Sequence, residues 1–279
     1  MAGKTTIVTS MYNKSTEVLE ILDKLFFPSL LLNGSKNEIG RDSGIKDIGI
    51  IIIDDCSPLR TETMNLFNKY LYKLLEVFAF VKFVRNEENL GFSKSYNKGI
   101  RMVRTKYILV TNDDLYFPPG SIKKLVQTLD ETENYGLVGP IANNSTLWSY
   151  QYAKQAPKLN SYEPKEINRL KNFSIWLEEK MRGQRKTTDH HLCGFCFAAK
   201  TEFIKEFGGF NENYNFGQFE DTDLVRRVVK KYGSKKIAII MDVFVGHGGV
   251  NGNSRSLLQE PQKMIFFAFY NGMKYLRKW

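Results

Sequence analysis

Two adjacent carboxylates, Asp113 and Asp114, follow the apolar run Tyr107-Ile-Leu-Val-Thr111 and precede the turn Pro118-Pro-Gly120. With Asn112 they form a row of hard oxygen donors, suited to holding Mg²⁺ or Mn²⁺ together with a phosphate. An Asp-Asp pair in a loop is by itself more often a solvated turn, so other residues must decide. Asp54 and Asp55 end a second apolar run, residues 48–53. There a carboxylate can accept from a nucleobase N–H or a ribose hydroxyl, or cap the following helix. Glu220, Asp221 and Asp223 crowd a third point, the start of a helix, where the macrodipole favours negative charge. Capping accounts for one of these acids but not for all. A carboxylate among carboxylates can have its pKa raised toward the working range of a general base.

His247, flanked by Gly246 and Gly248, can be a structural histidine or a nitrogen ligand to a hard cation held upstream. The stretch from His190 and His191 through Cys193 to Cys196 gathers potential zinc ligands, but without a second pair at finger-like spacing. It is not read as a zinc site. The Gly-rich run 246–252 fits neither a dinucleotide fingerprint nor a P-loop.

The elements that must position these residues alternate. Residues 5–10, 48–53, 81–85, 107–111, 137–138 and 236–241 read as strands. Helical spacing follows Ser15 until Pro28, and resumes after Ser57 and Pro58 with Phe67, Tyr70, Leu71, Leu74, Leu75 and Phe78 as its inward stripe. Further helices are expected over 91–104, 121–132, 202–207 and 220–230. Such alternation predicts an α/β fold, a mostly parallel Rossmann-like sheet flanked by helices. Right-handed crossovers then bring the strand-end loops to one rim, so that Asn13, Asp54, Asp55 and Asp114 converge. Residues 33–47 read as a loop, and 143–191 as connecting, substrate-covering structure.

The chain has 279 residues, 42% hydrophobic and 25% charged, long enough for one large α/β domain or two small ones. A net charge of +10 and a pI near 9.3 favour anionic partners. The basic residues are scattered, with modest clusters at 165–186 and 274–278, which argues against a nucleic-acid groove. Cys56, Cys193 and Cys196 make no disulfide framework. With no visible secretory signal and no spanning apolar stretch, a cytoplasmic location is expected.

Motif order then carries a resemblance. The pieces are Thr9-Ser-Met-Tyr-Asn13, Ile53-Asp-Asp-Cys-Ser57, Asn89-Leu-Gly-Phe-Ser-Lys-Ser-Tyr-Asn-Lys-Gly-Ile100, Thr111-Asn-Asp-Asp114, Gly208-Gly-Phe-Asn211, Glu220-Asp-Thr-Asp-Leu224 and His247. Over roughly residues 5–249 the chain resembles family 2 glycosyltransferases of the GT-A fold, especially their rhamnosyltransferase-like branch. That resemblance implies a nucleotide-diphosphate sugar donor (UDP-, GDP- or dTDP-linked), Mn²⁺ or Mg²⁺, inversion at the anomeric carbon, and a glycan or lipid-linked acceptor. Thr9, Met11 and Asn13 would line the nucleotide, and Asp54 or Asp55 would hold the base or ribose. Lys94 would approach the phosphates. Asn112 to Asp114 would be the DxD-type motif, Asp113 nearer the ribose and Asp114 on the metal, with His247 completing its sphere. Asp221 would deprotonate the acceptor hydroxyl, and Glu220 would orient acceptor or base.

Two letters depart from the family's pattern: Asn112 replaces the first Asp of DxD, and Cys56 stands where Gly or Asn is common. The expected organisation is a GT-A domain over 1–252, with a donor half (1–140) and an acceptor half (141–252), and a basic aromatic tail over 253–279. That tail could lie on a membrane surface or pack on the core. A non-catalytic nucleotide-sugar-binding protein of the same fold is the alternative. A nucleotidyltransferase is disfavoured because residues 9–14 contain no glycine.

Overall fold

The computed structural model describes residues 4–34, 47–145, 149–214, 217–248 and 261–279. Trp148, most of the loop expected over 33–47 and the glycine-rich run beyond Gly248 lie outside the described residues.

Among the described residues nine strands form one curled, mixed sheet, in the order 81–85, 48–54, 5–11, 107–111, 196–200, 137–142, 237–247, 115–116, with 185–187 also paired to 237–247. The first four are β1 (Thr5–Met11), β2 (Ile48–Asp54), β3 (Val81–Arg85) and β4 (Tyr107–Thr111), all mutually parallel. β1, β2 and β4 are buried on both faces, as continuous apolar runs require, whereas β3 at the sheet edge is only partly covered and Lys82 is exposed. Alternate residues feed opposite layers: Ile7, Ile50, Ile52 and Leu109 one, Val8, Ile51, Ile53 and Val110 the other. Register sets the rim. Met11 pairs with Asp54, Asp54 with Arg85, and Thr9 with Thr111, so the four carboxyl ends open onto one edge.

Beyond β4 the sheet departs from a parallel pattern. The strand β8 (Cys196–Lys200) runs antiparallel between β4 and β6 (Leu137–Ala142), so the residues entering β8 meet the residues leaving β4. The long β9 (Ile237–His247) lies parallel to β6, with its register shifted between Pro140 and Ile141. Past that shift its end pairs with the two-residue β5 (Leu115–Tyr116), setting His247 opposite Leu115. The short β7 (Arg185–Thr187) pairs with the first part of β9.

Helices cover both faces. They are α1 (Thr16–Ile21), α2 (Phe27–Gly34), α3 (Arg60–Val77), α4 (Phe92–Met102), α5 (Ser121–Asp130), α6 (Pro164–Lys180), α7 (Thr201–Glu206), α8 (Glu220–Tyr232) and α9 (Pro261–Lys278). Three differ from expectation. Pro28 does not end its helix: a π-helical turn over Leu22–Phe26 joins α1 to α2, and Pro28 falls in the first turn of α2, where a missing N–H costs little. Pro58 does not begin α3, which opens two residues later; Ser57 instead donates to Asp54 at 2.5 Å and accepts from the backbone of Asn13 at 2.8 Å. On α3 the side chain of Leu75 is exposed rather than inward. Finally, α6 fills part of the region read as connecting structure, with Leu170 and Leu177 buried and Phe173 edge-on to Phe244.

Candidate active site

The loop after β1 is fastened from below. Met11 packs into the core layer, and its carbonyl accepts from the backbone of Asp55 at 2.8 Å. Asn13 donates through its amide to Thr63 at 2.9 Å. Thr9 is fully buried between the β2 and β4 neighbours.

Both carboxylates after β2 are buried and engaged. Asp54 accepts from the backbone and hydroxyl of Ser57 and pairs with Arg85 from β3. Asp55 accepts from Asn86 at 2.8 Å and from the backbone N–H groups of Leu90 and Gly91, fixing the turn that starts α4. Between them and Ser57, Cys56 holds φ at 60°, a left-handed conformation. Glycine and asparagine adopt it at least cost, which is why they suit this position and why a cysteine there is strained. Lys94 is exposed on the first turn of α4. On the same helix Asn97 clamps a distant motif: its amide oxygen accepts from the backbone of Phe210 at 2.9 Å, and its nitrogen donates to the Phe210 carbonyl at 2.8 Å. A Cβ on Gly209 would lie 2.2 Å from that amide oxygen, so Gly209 is required by a close approach, while Gly208 has open space around it and is favoured only by its φ of 69°.

Asn112, Asp113 and Asp114 leave β4 at the centre of the rim, the two aspartates buried. The hydroxyl of Tyr96 donates to the Thr111 carbonyl at 2.9 Å, holding that exit against α4. The β5–β9 pairing sets His247 beside Asp114, with 3.7 Å between Nε2 and Oδ1. The Gly248 backbone donates to the Asp114 carbonyl at 3.0 Å. At 2.6 Å from the Asn144 carbonyl, His247 Nδ1 must carry the proton, since a carbonyl only accepts. With Nδ1 held by that carbonyl, Nε2 is the ring atom turned to Asp114, the arrangement that orients a metal-ligating histidine. A buried carboxylate and an oriented imidazole fit a divalent cation of the Mg²⁺ or Mn²⁺ kind.

On the other wall α8 begins with Glu220, Asp221 and Asp223, following Gln218 and Phe219 at φ 78° and 71°. Left-handed backbone at two successive side-chain-bearing residues is costly, and strain of this kind clusters at functional sites. The three acids have separate fates. Asp223 is fully buried and neutralised by Arg227 at 2.7 Å and Lys278 at 2.5 Å, which hold its carboxyl below the ordinary range against burial. Glu220 is buried as well. Burial first, and the Asp221 charge second, push its carboxyl up to about 8. Asp221 is partly exposed and accepts backbone N–H bonds from Gly194 at 2.8 Å and Thr222 at 2.6 Å.

The walls meet through residues that spacing did not single out. Gly194 holds Asp221, and a Cβ there would lie 3.1 Å from that side chain. The next residue, Phe195, stacks on His247 with centroids 4.6 Å apart, and its carbonyl accepts from the backbone of Asn112 at 2.7 Å. Two residues entering β8 thus tie the Asn112–Asp114 exit, His247 and Asp221 into one site. The visible signal was the glycine before an apolar strand; its partners are set by topology alone.

The zinc-like run resolves differently. His191 and Cys193 come together with Asp221, their ligand atoms within 4.8 Å of one another, whereas Cys196 is buried in β8 and His190 is exposed beside Asp189. Burial, then the Asp221 charge, raise the Cys193 thiol to about 12, so it carries its proton.

A protein-family model, Glycosyl transferase family 2, matches residues 6–208, well over half of the chain. The chain belongs to glycosyl transferase family 2. The match ends before Glu220, Asp221 and His247. The family 2 chain also shares the GT-A fold of solved glycosyltransferases. S. aureus TarS 1-349 is 16% identical with a TM-score of 0.56, over 88% of this chain and 60% of that one. The mannosyltransferase PcManGT from Pyrobaculum calidifontis, solved with GDP-Man and Mn²⁺, is 14% identical with a TM-score of 0.60, over 95% and 65%. GalNAc-T7 with UDP, GalNAc and Mn²⁺ is 14% identical with a TM-score of 0.59, over 91% and 45%. This chain therefore spans about 60% of the length of the TarS 1-349 structures. No curated protein matches it by sequence.

Proposed function

We propose that this family 2 protein is a metal-dependent, inverting glycosyltransferase. It moves a hexosyl or deoxyhexosyl group from a UDP-, GDP- or dTDP-sugar to a hydroxyl of a glycan or lipid-linked acceptor. The observation that carries the reading is the two-residue link Gly194-Phe195, which joins a cation-competent pair to a partly exposed carboxylate. The nucleotide-sugar and Mn²⁺ complexes of similar folds support it. Motif order favours the rhamnosyltransferase-like branch and the use of the product in polysaccharide assembly.

Asp221 takes the proton of the acceptor hydroxyl as its oxygen bonds to the anomeric carbon, while the bond from that carbon to the diphosphate breaks. The Gly194 and Thr222 N–H groups aim the carboxylate and leave oxygen lone pairs for the acceptor. Protonated Glu220 beside it can donate a hydrogen bond to the acceptor or to Asp221. Asp114 and His247 would hold Mn²⁺ or Mg²⁺, which stabilises charge on the departing diphosphate. Lys94 adds positive charge there, and Asn112 and Asp113 face the sugar-diphosphate. Thr9, Met11, Asn13, Asp54 and Asp55 form the nucleotide wall. In this division donor residues come chiefly from 1–140 and the base from 141–252. The C-terminal helix is the element that would meet a membrane carrying a lipid-linked acceptor.

The test is release of nucleoside diphosphate from a panel of nucleotide sugars, with and without Mn²⁺. A non-catalytic binder of the same fold would bind a donor and release nothing.

A further inference from the structure

The C-terminal helix α9 is turned inside out. Its polar side faces the protein: Asn271 is buried and donates to the Gly217 carbonyl at 2.7 Å. Lys274 reaches the Asn213 carbonyl at 2.8 Å, and the Tyr275 hydroxyl accepts from Arg226 at 2.9 Å. Lys278 and Trp279 both donate to Asp223. The opposite arc is apolar and in solvent. Ile265, Phe269, Met273 and Leu276 recur at helical spacing, with Ile265 and Phe269 each 74% exposed and Leu276 73% exposed. Phe266, beside them, is 61% exposed. A contiguous stripe of large apolar side chains marks a surface that something covers.

Charge says what covers it. Residues 261–279 contain no acid; Lys274 and Lys278 turn to the protein, but Arg277 of the helix and Arg226 and Lys230 of the adjoining α8 are exposed beside it, within a chain of net charge +10. A second copy seated on this stripe would set cations against cations. An anionic lipid surface complements them, and a helix with an apolar arc flanked by Lys and Arg lies in the plane of such a surface. Among the described residues no helix is long and apolar enough to cross a membrane, so the contact is peripheral.

We propose that the exposed face of α9 docks the enzyme on an anionic bilayer and presents the α8 side of the site to an acceptor held there. The geometry links the two: Tyr275 stacks on Phe219 with centroids 5.4 Å apart, and Phe219 immediately precedes Glu220 and Asp221. The acceptor half of this inference rests on the glycosyltransferase reading; the docking half does not.

The experiment is flotation of the full chain with vesicles of phosphatidylcholine alone and of phosphatidylcholine mixed with phosphatidylglycerol, without any sugar donor. The chain should float with the mixed vesicles and much less with the neutral ones. The triple variant Ile265→Ser, Phe269→Ser, Leu276→Ser should partition about tenfold less or worse, as loss of buried apolar area from an interfacial helix requires. Leu276→Ser alone should fall between. Circular dichroism and the thermal midpoint of the triple variant should match wild type, since these side chains make no core contact. Failure of wild type to float, or equal flotation of the triple variant, overturns the proposal. Light scattering that shows a wild-type dimer and a monomeric triple variant, with neither floating, overturns it in favour of a second copy. Donor hydrolysis is measured separately, so its absence would count against the enzymatic reading and leave docking standing.

Discussion

Asp221→Asn is the perturbation with the sharpest consequence. The carboxylate presents two oxygens to two backbone donors, Gly194 N–H at 2.8 Å and Thr222 N–H at 2.6 Å. Asparagine keeps one oxygen and turns an NH₂ toward the other donor, so one charge-assisted bond is lost and one N–H is left facing a donor. That costs about 1–3 kcal/mol of stability. The chemical loss is separate and larger. A positioned general base contributes about 10²–10⁴-fold, or roughly 3–5 kcal/mol of barrier. Asparagine cannot take the acceptor proton, so transfer should fall by that factor while donor affinity, set on the opposite wall, changes little. The assay pairs initial rates of sugar transfer at saturating donor with calorimetric donor binding. A transfer rate within a few-fold of wild type in a folded variant would refute the assignment of the base. Equal loss of donor affinity and rate would point to collapse of the rim instead.

Asp114→Ala should weaken Mn²⁺-dependent nucleotide binding beyond the roughly 10–100-fold typical of losing a ligand's supporting contact; unchanged affinity by calorimetry with Mn²⁺ removes Asp114 from the metal. Glu220 gives a pH signature. Its folded pKa lies above the ordinary 4.5, so the native state keeps a proton that the unfolded chain releases. Its contribution to stability is complete below about pH 4.5 and is lost as pH rises through the folded value, at up to about 1.4 kcal/mol per unit. Glu220→Gln should therefore gain on wild type in urea midpoints between pH 5 and 8.5, and a pH-independent difference contradicts the buried acid. Cys56→Gly should relieve left-handed strain and stabilise the fold by about 0.5–1 kcal/mol after the added chain entropy. A lower denaturation midpoint in that variant would show the contacts of the thiol to outweigh the backbone.

Much of the first half was legible because β2 and β4 are buried on both faces and read as apolar runs leading into acids. Residues 48–53 alone set β2 to within one residue of Ile48–Asp54. The convergence of Asn13, Asp54, Asp55 and Asp114 followed from parallel crossovers, which have one hand. Asp54 and Asp55 show the limit of residue types. Either could have faced a ligand or a helix start, and their hydrogen bonds serve Ser57, Arg85 and the turn before α4. The antiparallel insertion of β8 was not legible, because pairing partners far apart in sequence leave no local pattern. With it went the roles of Gly194 and Phe195. The helix α6 is a different case: Pro164 near its start and Ile167, Leu170 and Leu177 at helical spacing were visible, but the surrounding aromatic and basic residues obscured them. The two faces of α9 could not be assigned either, since a helix with polar groups inward reverses the rule that apolar residues point to the core.

In the proposed function Asp114 with His247, and Asp221 with Glu220, form the two walls of one metal-dependent transfer site. The measurement that tests this function most directly is nucleoside diphosphate release from UDP-, GDP- and dTDP-sugars by wild type, Asp114→Ala and Asp221→Asn, with Mn²⁺ and with chelator. Wild type with Mn²⁺ should release nucleoside diphosphate from at least one donor class, and chelator or either substitution should abolish that release. Release that survives chelator and both substitutions, or no release from any donor that binds, would contradict that function.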